Sequence, residues 1–231
     1  MKKEILGILG GMGPYASLEF HKKILQYDNA SKDWEHTHIV LDNNITIPSR
    51  TRHILYGETN PVPDIIEAIN RLENFGAKAV VLPCNSVHYF YDSVIPHINI
   101  PWLNMLDIVA KDIRNIGLKK TLILGGYVTV NKKTYDSYLV ESIYLNDNEN
   151  KIVYELIEAV KNNNLELVDI LAVQLIKYFD KYVKYYQIDS ILLGCTEFAI
   201  SPRLQKYSGV QMFDSSEIYA EYASRYMRNS L

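Results

Sequence analysis

VVLPCNSVH, residues 80–88, and ILLGCTEF, residues 191–198, decide how this chain is read. In each, an unbroken aliphatic run stops at a proline or a glycine, and a cysteine follows at once with small polar residues behind it. A short continuous apolar run bounded by turn residues is what a strand buried on both faces of a parallel sheet looks like. Cys84 and Cys195 are the only two cysteines, and each sits just past the carboxyl end of such a run. Our reading is that both thiols face one cleft and act as a pair.

Working outward, the same pattern recurs. Residues 3–9 read as a buried strand broken by Gly10-Gly11-Met12-Gly13-Pro14, and 14–27 has helical periodicity, with Ala16, Phe20, Ile24 and Tyr27 on one face. Proline suits the first turn of that helix. Residues 37–42 read as the second strand, with Asn43-Asn44 and 47–52 as loop beyond it. Asp64 is the expected N-cap of a helix running to Phe75, stopped by Gly76. Residues 77–82 form the third strand, 86–95 a helix, and 100–107 a fourth strand entering a helix at 108–113.

The pattern then restarts. Residues 121–126 are a strand ending in paired glycines, 151–160 and 165–182 are helices, 188–194 is the strand before Cys195, and 210–220 matches 100–110 in shape. Gly10 and Gly125 are 115 residues apart, Cys84 and Cys195 111, and Asn104 and Asp214 110. A repeat of this size is a duplicated domain rather than a solenoid. The expected fold class is α/β: two pseudo-symmetric domains, each a mostly parallel sheet flanked by helices, with the active site in the cleft between them. Residues 1–105 plus 212–231 form the first, with the last helix (216–228) returning to it, and 106–211 form the second.

Bulk properties narrow the function. At 231 residues, 48% hydrophobic and net charge −3, the chain is an ordinary globular protein with no basic run to bind nucleic acid or a membrane. Its apolar start, 5–9, is too short for a secretory signal, and no segment has the length of a bilayer span. The expected location is the cytoplasm, where two cysteines stay reduced.

In parallel α/β sheets ligands bind beyond the carboxyl ends of the strands. Every unusual segment falls there: 10–13, 43–44, 47–50, 84–86, 125–126 and 195–197. Asn85, Ser86, Thr196 and Glu197 are placed to hydrogen-bond a ligand or to cap the following helices, whose positive ends favour thiolate. Two thiols flanking a small substrate invite two-base chemistry, one removing a proton from carbon while the other delivers one to the opposite face. Stereochemistry then inverts without a cofactor. Backbone N–H groups at the strand ends are the expected support for the carbanion.

The chain resembles the aspartate/glutamate racemase family, most closely its aspartate branch. The resemblance rests on GILGGMGP (7–14), IPSRT (47–51), PCNS (83–86) followed by His88, and LGCTE (193–197), in order along the chain. It implies interconversion of L- and D-aspartate or glutamate without pyridoxal phosphate or another cofactor, and a homodimer. It also implies that Cys84 takes the α-proton from the D form and Cys195 from the L form. By the same resemblance Arg50 and Lys161 hold substrate carboxylates and Met12 lines the pocket. Ser86 stands where the family has threonine, and the 124–135 loop keeps Thr129 and Tyr135 but loses other small hydroxyl residues.

Rival readings fit less of the chain. GMGPYA (11–16) satisfies a dinucleotide-binding pattern, but Pro14 removes an amide that a pyrophosphate would use. Cys84 with His88, or His36 with His38, lack further ligands at familiar spacing, so no metal is expected. A cysteine hydrolase built on Cys84 and His88 leaves Cys195 idle. The remaining alternatives are a catalytically silent binder of small dicarboxylates or amino acids, and a related hydantoin racemase or maleate isomerase.

Overall fold

A computed structural model describes residues 3–229. The chain divides into two compact units, Met1–Ile108 with Ser216–Leu231, and Val109–Ser215.

The first unit opens with β1 (Ile5–Leu9), α1 (Pro14–Tyr27), β2 (His38–Asp42), α2 (Arg50–Tyr56), α3 (Val62–Asn74) and β3 (Ala77–Val81). A 3-10 turn, Asn85–Phe90, then leads into α4 (Tyr91–Val94) and α5 (Met105–Asn115), whose residues from Val109 onward belong to the second unit. Its sheet is parallel, in the order β2-β1-β3. The α3 stripe of Ile65, Ala68, Ile69 and Leu72 is buried against it. Each such side chain contributes about 1.5–3 kcal/mol for the larger aliphatics.

Four expectations are corrected here. Asp64 is not an N-cap but lies in the first turn of α3, which begins at Val62 after Pro61. The segment 47–52 is not all loop: Ser49 Oγ accepts the Arg52 N–H at 3.3 Å and starts α2, which ends at Gly57 in the left-handed region. The helix expected after Cys84 begins as a 3-10 turn. The fourth strand expected at 100–107 shrinks to one bridge, Val80 to Trp102. Pro101 has no N–H to extend the ladder. In addition, the Asn104 side chain accepts the N–H groups of Leu106 and Asp107, so helix α5 already begins at Met105.

The second unit contains β4 (Lys120–Gly125), α6 (Tyr127–Asn131), β5 (Glu141–Tyr144), α7 (Asp147–Lys161), α8 (Leu165–Tyr186) and β6 (Ser190–Gly194). The 3-10 turn Thr196–Ile200, α9 (Pro202–Gln205) and β7 (Gln211–Asp214) complete it. All pairings are parallel, in the order β5-β4-β6-β7. The two sheets therefore share one topology, with β6 occupying the place of β3. Because β7 pairs with β6, residues 212–215 belong to this unit rather than to the first.

The last helix, α10 (Ser215–Asn229), packs in the first unit. Tyr219 donates to Leu103 O at 2.5 Å and accepts the Leu82 N–H at 3.3 Å, just ahead of Cys84. The Ser224 hydroxyl donates to buried Asp28, which also accepts the N–H and hydroxyl of Thr37. These bonds outweigh the effect of burial and hold the Asp28 carboxyl below its ordinary pKa. No helix among the described residues is long and apolar enough to cross a membrane.

Candidate active site

Each cysteine is delivered by the same local device. Both follow the third strand of a parallel sheet, in extended conformation (φ −155°, ψ 114° for Cys84; φ −146°, ψ 129° for Cys195), and each caps a 3-10 turn. The strand carries the residue to the carboxyl edge of the sheet, and the turn reverses the chain there.

In the first unit, the Cys84 N–H bonds back to Leu82 O at 2.7 Å, a γ-turn centred on Pro83. The Cys84 sulfur lies 3.3 Å from Ser86 Oγ. Cys84 shares one apolar cluster with Met12 and Ile47, and Asn85 beside it is buried. The glycine turn holding Met12 is fixed closely: Gly11 has φ +85°, and a Cβ there would lie 2.2 Å from Asn44 O. Only glycine fits that backbone.

His88 clamps two backbone segments. Nδ1–H donates to Cys84 O at 2.9 Å, and Nε2 accepts the Met105 N–H at 3.1 Å. Those two bonds fix the neutral tautomer. Burial outweighs the raising effect of the Cys84 and Leu103 backbone carbonyls and lowers the pKa to about 4. With both nitrogens occupied, His88 has no lone pair to offer the Cys84 thiol, which removes the hydrolase arrangement.

Arg50 is the first residue of α2. Its Nη1 donates to Pro48 O at 3.2 Å, while its Nε is buried without a hydrogen-bond partner. A buried guanidinium N–H left unpaired costs about 1–3 kcal/mol unless something accepts it. A carboxylate is the acceptor that matches the guanidinium fork.

In the second unit, the Cys195 thiol donates to Glu197 Oε2 at 2.9 Å, and the Thr196 hydroxyl reaches the same oxygen at 3.4 Å. Thr196 and Glu197 are only 2% and 5% exposed. Lys161 ends α7, which packs against the turn that follows Cys195. Its Nζ pairs with Glu158 at 2.7 Å. Burial pulls the Lys161 pKa down, but the Glu158 bond and the charges of Glu197, Glu158 and Cys195 together raise it. The buried Tyr135 ring lies against Gly194, 3.5 Å from where a Cβ would stand. Burial first, then Tyr144, Cys195 and Tyr138, push its hydroxyl pKa well up, so it stays a neutral phenol beside Cys195.

The first unit therefore gathers Cys84, Asn85, Ser86 and Met12, with Arg50 on the adjoining segment. The second gathers Cys195, Thr196, Glu197 and Lys161. The His88 clamp had only its spacing of four from Cys84 as a signal, and the Cys195–Glu197 bond only a spacing of two. Among the described residues no group of three or more His, Cys, Asp or Glu side chains is arranged to hold a metal ion.

The model of the Asp/Glu/Hydantoin racemase family matches residues 9–223. The chain belongs to that family, which is one of isomerases. It is 26% identical over 226 residues to the broad specificity amino-acid racemase RacX of Bacillus subtilis (strain 168), covering 94% of this chain and 95% of that protein. The Picrophilus torridus aspartate racemase structure matches with a TM-score of 0.84 and 26% identity, over 97% of this chain and 94% of that one. The Bacillus anthracis glutamate racemase isoform RacE1 shares the fold, with a TM-score of 0.69 at 19% identity over 100% of this chain and 84% of that one.

Proposed function

We propose that the protein is a cofactor-independent amino-acid racemase that interconverts L- and D-aspartate, or glutamate, through Cys84 and Cys195. One observation carries the reading: the only two cysteines occupy equivalent positions on two sheets of the same topology, each in the same extended-to-3-10 conformation. Binding alone needs neither thiol, and single-thiol chemistry needs only one.

The mechanism follows from residue chemistry. Arg50, with its unpaired Nε, anchors the α-carboxylate. Cys84 as thiolate removes the α-proton of one enantiomer, by the family resemblance the D form, and the Cys195 thiol delivers a proton to the other face. The bond from Cα to hydrogen breaks on one side and forms on the other, and the two sulfurs exchange protonation states. For the other enantiomer the roles reverse. Met12 lines the pocket, Asn85 and Ser86 serve the Cys84 side, and Lys161, Thr196 and Glu197 the Cys195 side. A homodimer, the assembly the resemblance implies, is part of the proposal.

A broader substrate range has specific support in the similarity to a protein named as a broad specificity racemase. Incubation with L-aspartate, L-glutamate and a panel of neutral and basic L-amino acids in D2O tests both. Racemisation with one deuterium at Cα is expected, and the panel ranks the substrates. No exchange with any of them overturns the racemase reading, and binding without exchange makes the protein a silent binder.

A further inference from the structure

The two sulfurs have unlike neighbours. Cys84 has a neutral hydroxyl, Ser86 Oγ, at 3.3 Å. Cys195 has a buried carboxylate, Glu197 Oε2, at 2.9 Å, which is the acceptor of its S–H. A thiolate at the half-buried Cys195 would put a second negative charge against that carboxylate, and like charges at that distance disfavour ionisation. Its place beyond the strand end suits Glu197 to hydrogen-bond a ligand or cap the following turn, but its side chain meets Cys195 and Thr196.

We propose that Glu197 is a positioning residue that keeps the proton on the Cys195 sulfur, so that of the pair it is Cys84 that begins the cycle as the base. The inference rests on the two-thiol reading above and makes its two halves unequal. Glu197 lies within electrostatic reach of a cation. Lys161, on α7, feels its charge, although Glu158 on the same helix takes Lys161 Nζ directly. Tyr135 is neutral against Gly194, and the elements packed against the Glu197 turn also carry Asp214 on strand β7, Asp147, Glu149 and Glu155 on α7, and Arg203 on α9, which pairs with Asp169. In the step itself, Cys195 gives its proton to the carbanion and becomes a thiolate beside Glu197. That form returns to the resting one when Cys195 regains a proton, from the next substrate or from water, and Cys84 loses its own.

Iodoacetamide labelling of both cysteines across pH 6–10, read peptide by peptide by mass spectrometry, tests this without turnover. The readout is the ratio of Cys195 to Cys84 labelling within one molecule, so a general loosening of the protein does not mimic the effect. In Glu197→Gln, which keeps the shape and removes the charge, the ratio at pH 7.5 should rise about tenfold, the effect of about one pKa unit on Cys195 alone. Glu197→Asp, which retains a carboxylate, should stay nearer to the wild type. The kcat of E197Q should fall more than its KM rises. An unchanged labelling ratio in E197Q overturns the proposal, whether or not KM changes; a raised KM with that ratio returns Glu197 to substrate binding. If the ratio shifts but the wild-type protein racemises nothing, the proton bias stands and the racemase reading fails.

Discussion

At the scale of single residues, the cation on which the proposal leans most is Arg50. Its Nη1 is spent on a backbone carbonyl of its own loop, while Nε is buried and unanswered. Removing a charge-assisted pair to a substrate carboxylate costs about 2–3 kcal/mol, so Arg50→Ala should lower kcat/KM about a hundredfold in steady-state assays. Arg50→Lys should recover little, because an ammonium lacks the planar fork. Wild-type-like kinetics in either variant would remove Arg50 from the site. The two cysteines are legible in the sequence because each follows an apolar strand and a breaker in a row, whereas Arg50 is singled out only by the resemblance. The partners of those residues are less legible. That Glu197 meets the Cys195 sulfur, and that His88 turns both nitrogens onto backbone, are facts of side-chain direction. Spacing alone does not fix direction.

At the scale of elements, buried strands and amphipathic helices could be read almost to their ends, since α1, α3 and β3 carry dense apolar patterns. The misreadings cluster where polar side chains outvote pattern. Asn104 caps α5 and ends a strand before it forms, and Ser49 turns a loop into α2. The short β5, exposed or half-buried along its length, had no apolar run to announce it. His88 ties two of these elements together and yields a pH test. Its pKa is lowered from 6.5 to about 4, so the unfolded chain binds the proton more tightly than the folded one. The stabilisation is therefore present above pH 6.5 and is lost as pH falls toward 4, amounting to about 3 kcal/mol. Urea unfolding of His88→Gln should show reduced stability at pH 7 and lack that share of the decline between pH 7 and 4. An unchanged pH slope would mean that His88 is not the buried neutral clamp described.

At the scale of the whole molecule, two sheets with one topology were foreseeable from three spacings that agree within a few residues. The duplication is not perfect: the second sheet has a true fourth strand, β7, where the first has a single bridge. The chemistry proposed for the duplicated frame uses only side chains. Racemisation should therefore persist after dialysis against EDTA and after treatment with hydroxylamine, which strips pyridoxal phosphate. Loss of activity restored by a metal or by pyridoxal phosphate would contradict cofactor independence. The central claim is that both thiols are needed in both directions. Its most direct test is α-deuterium incorporation and chirality for Cys84→Ala and Cys195→Ala, with each enantiomer of the best substrate in D2O. Each variant should fall below about one thousandth of wild-type racemisation from either enantiomer, the scale of losing one acid–base group, while circular dichroism stays native. Full two-way racemisation by either single variant would contradict the two-base account.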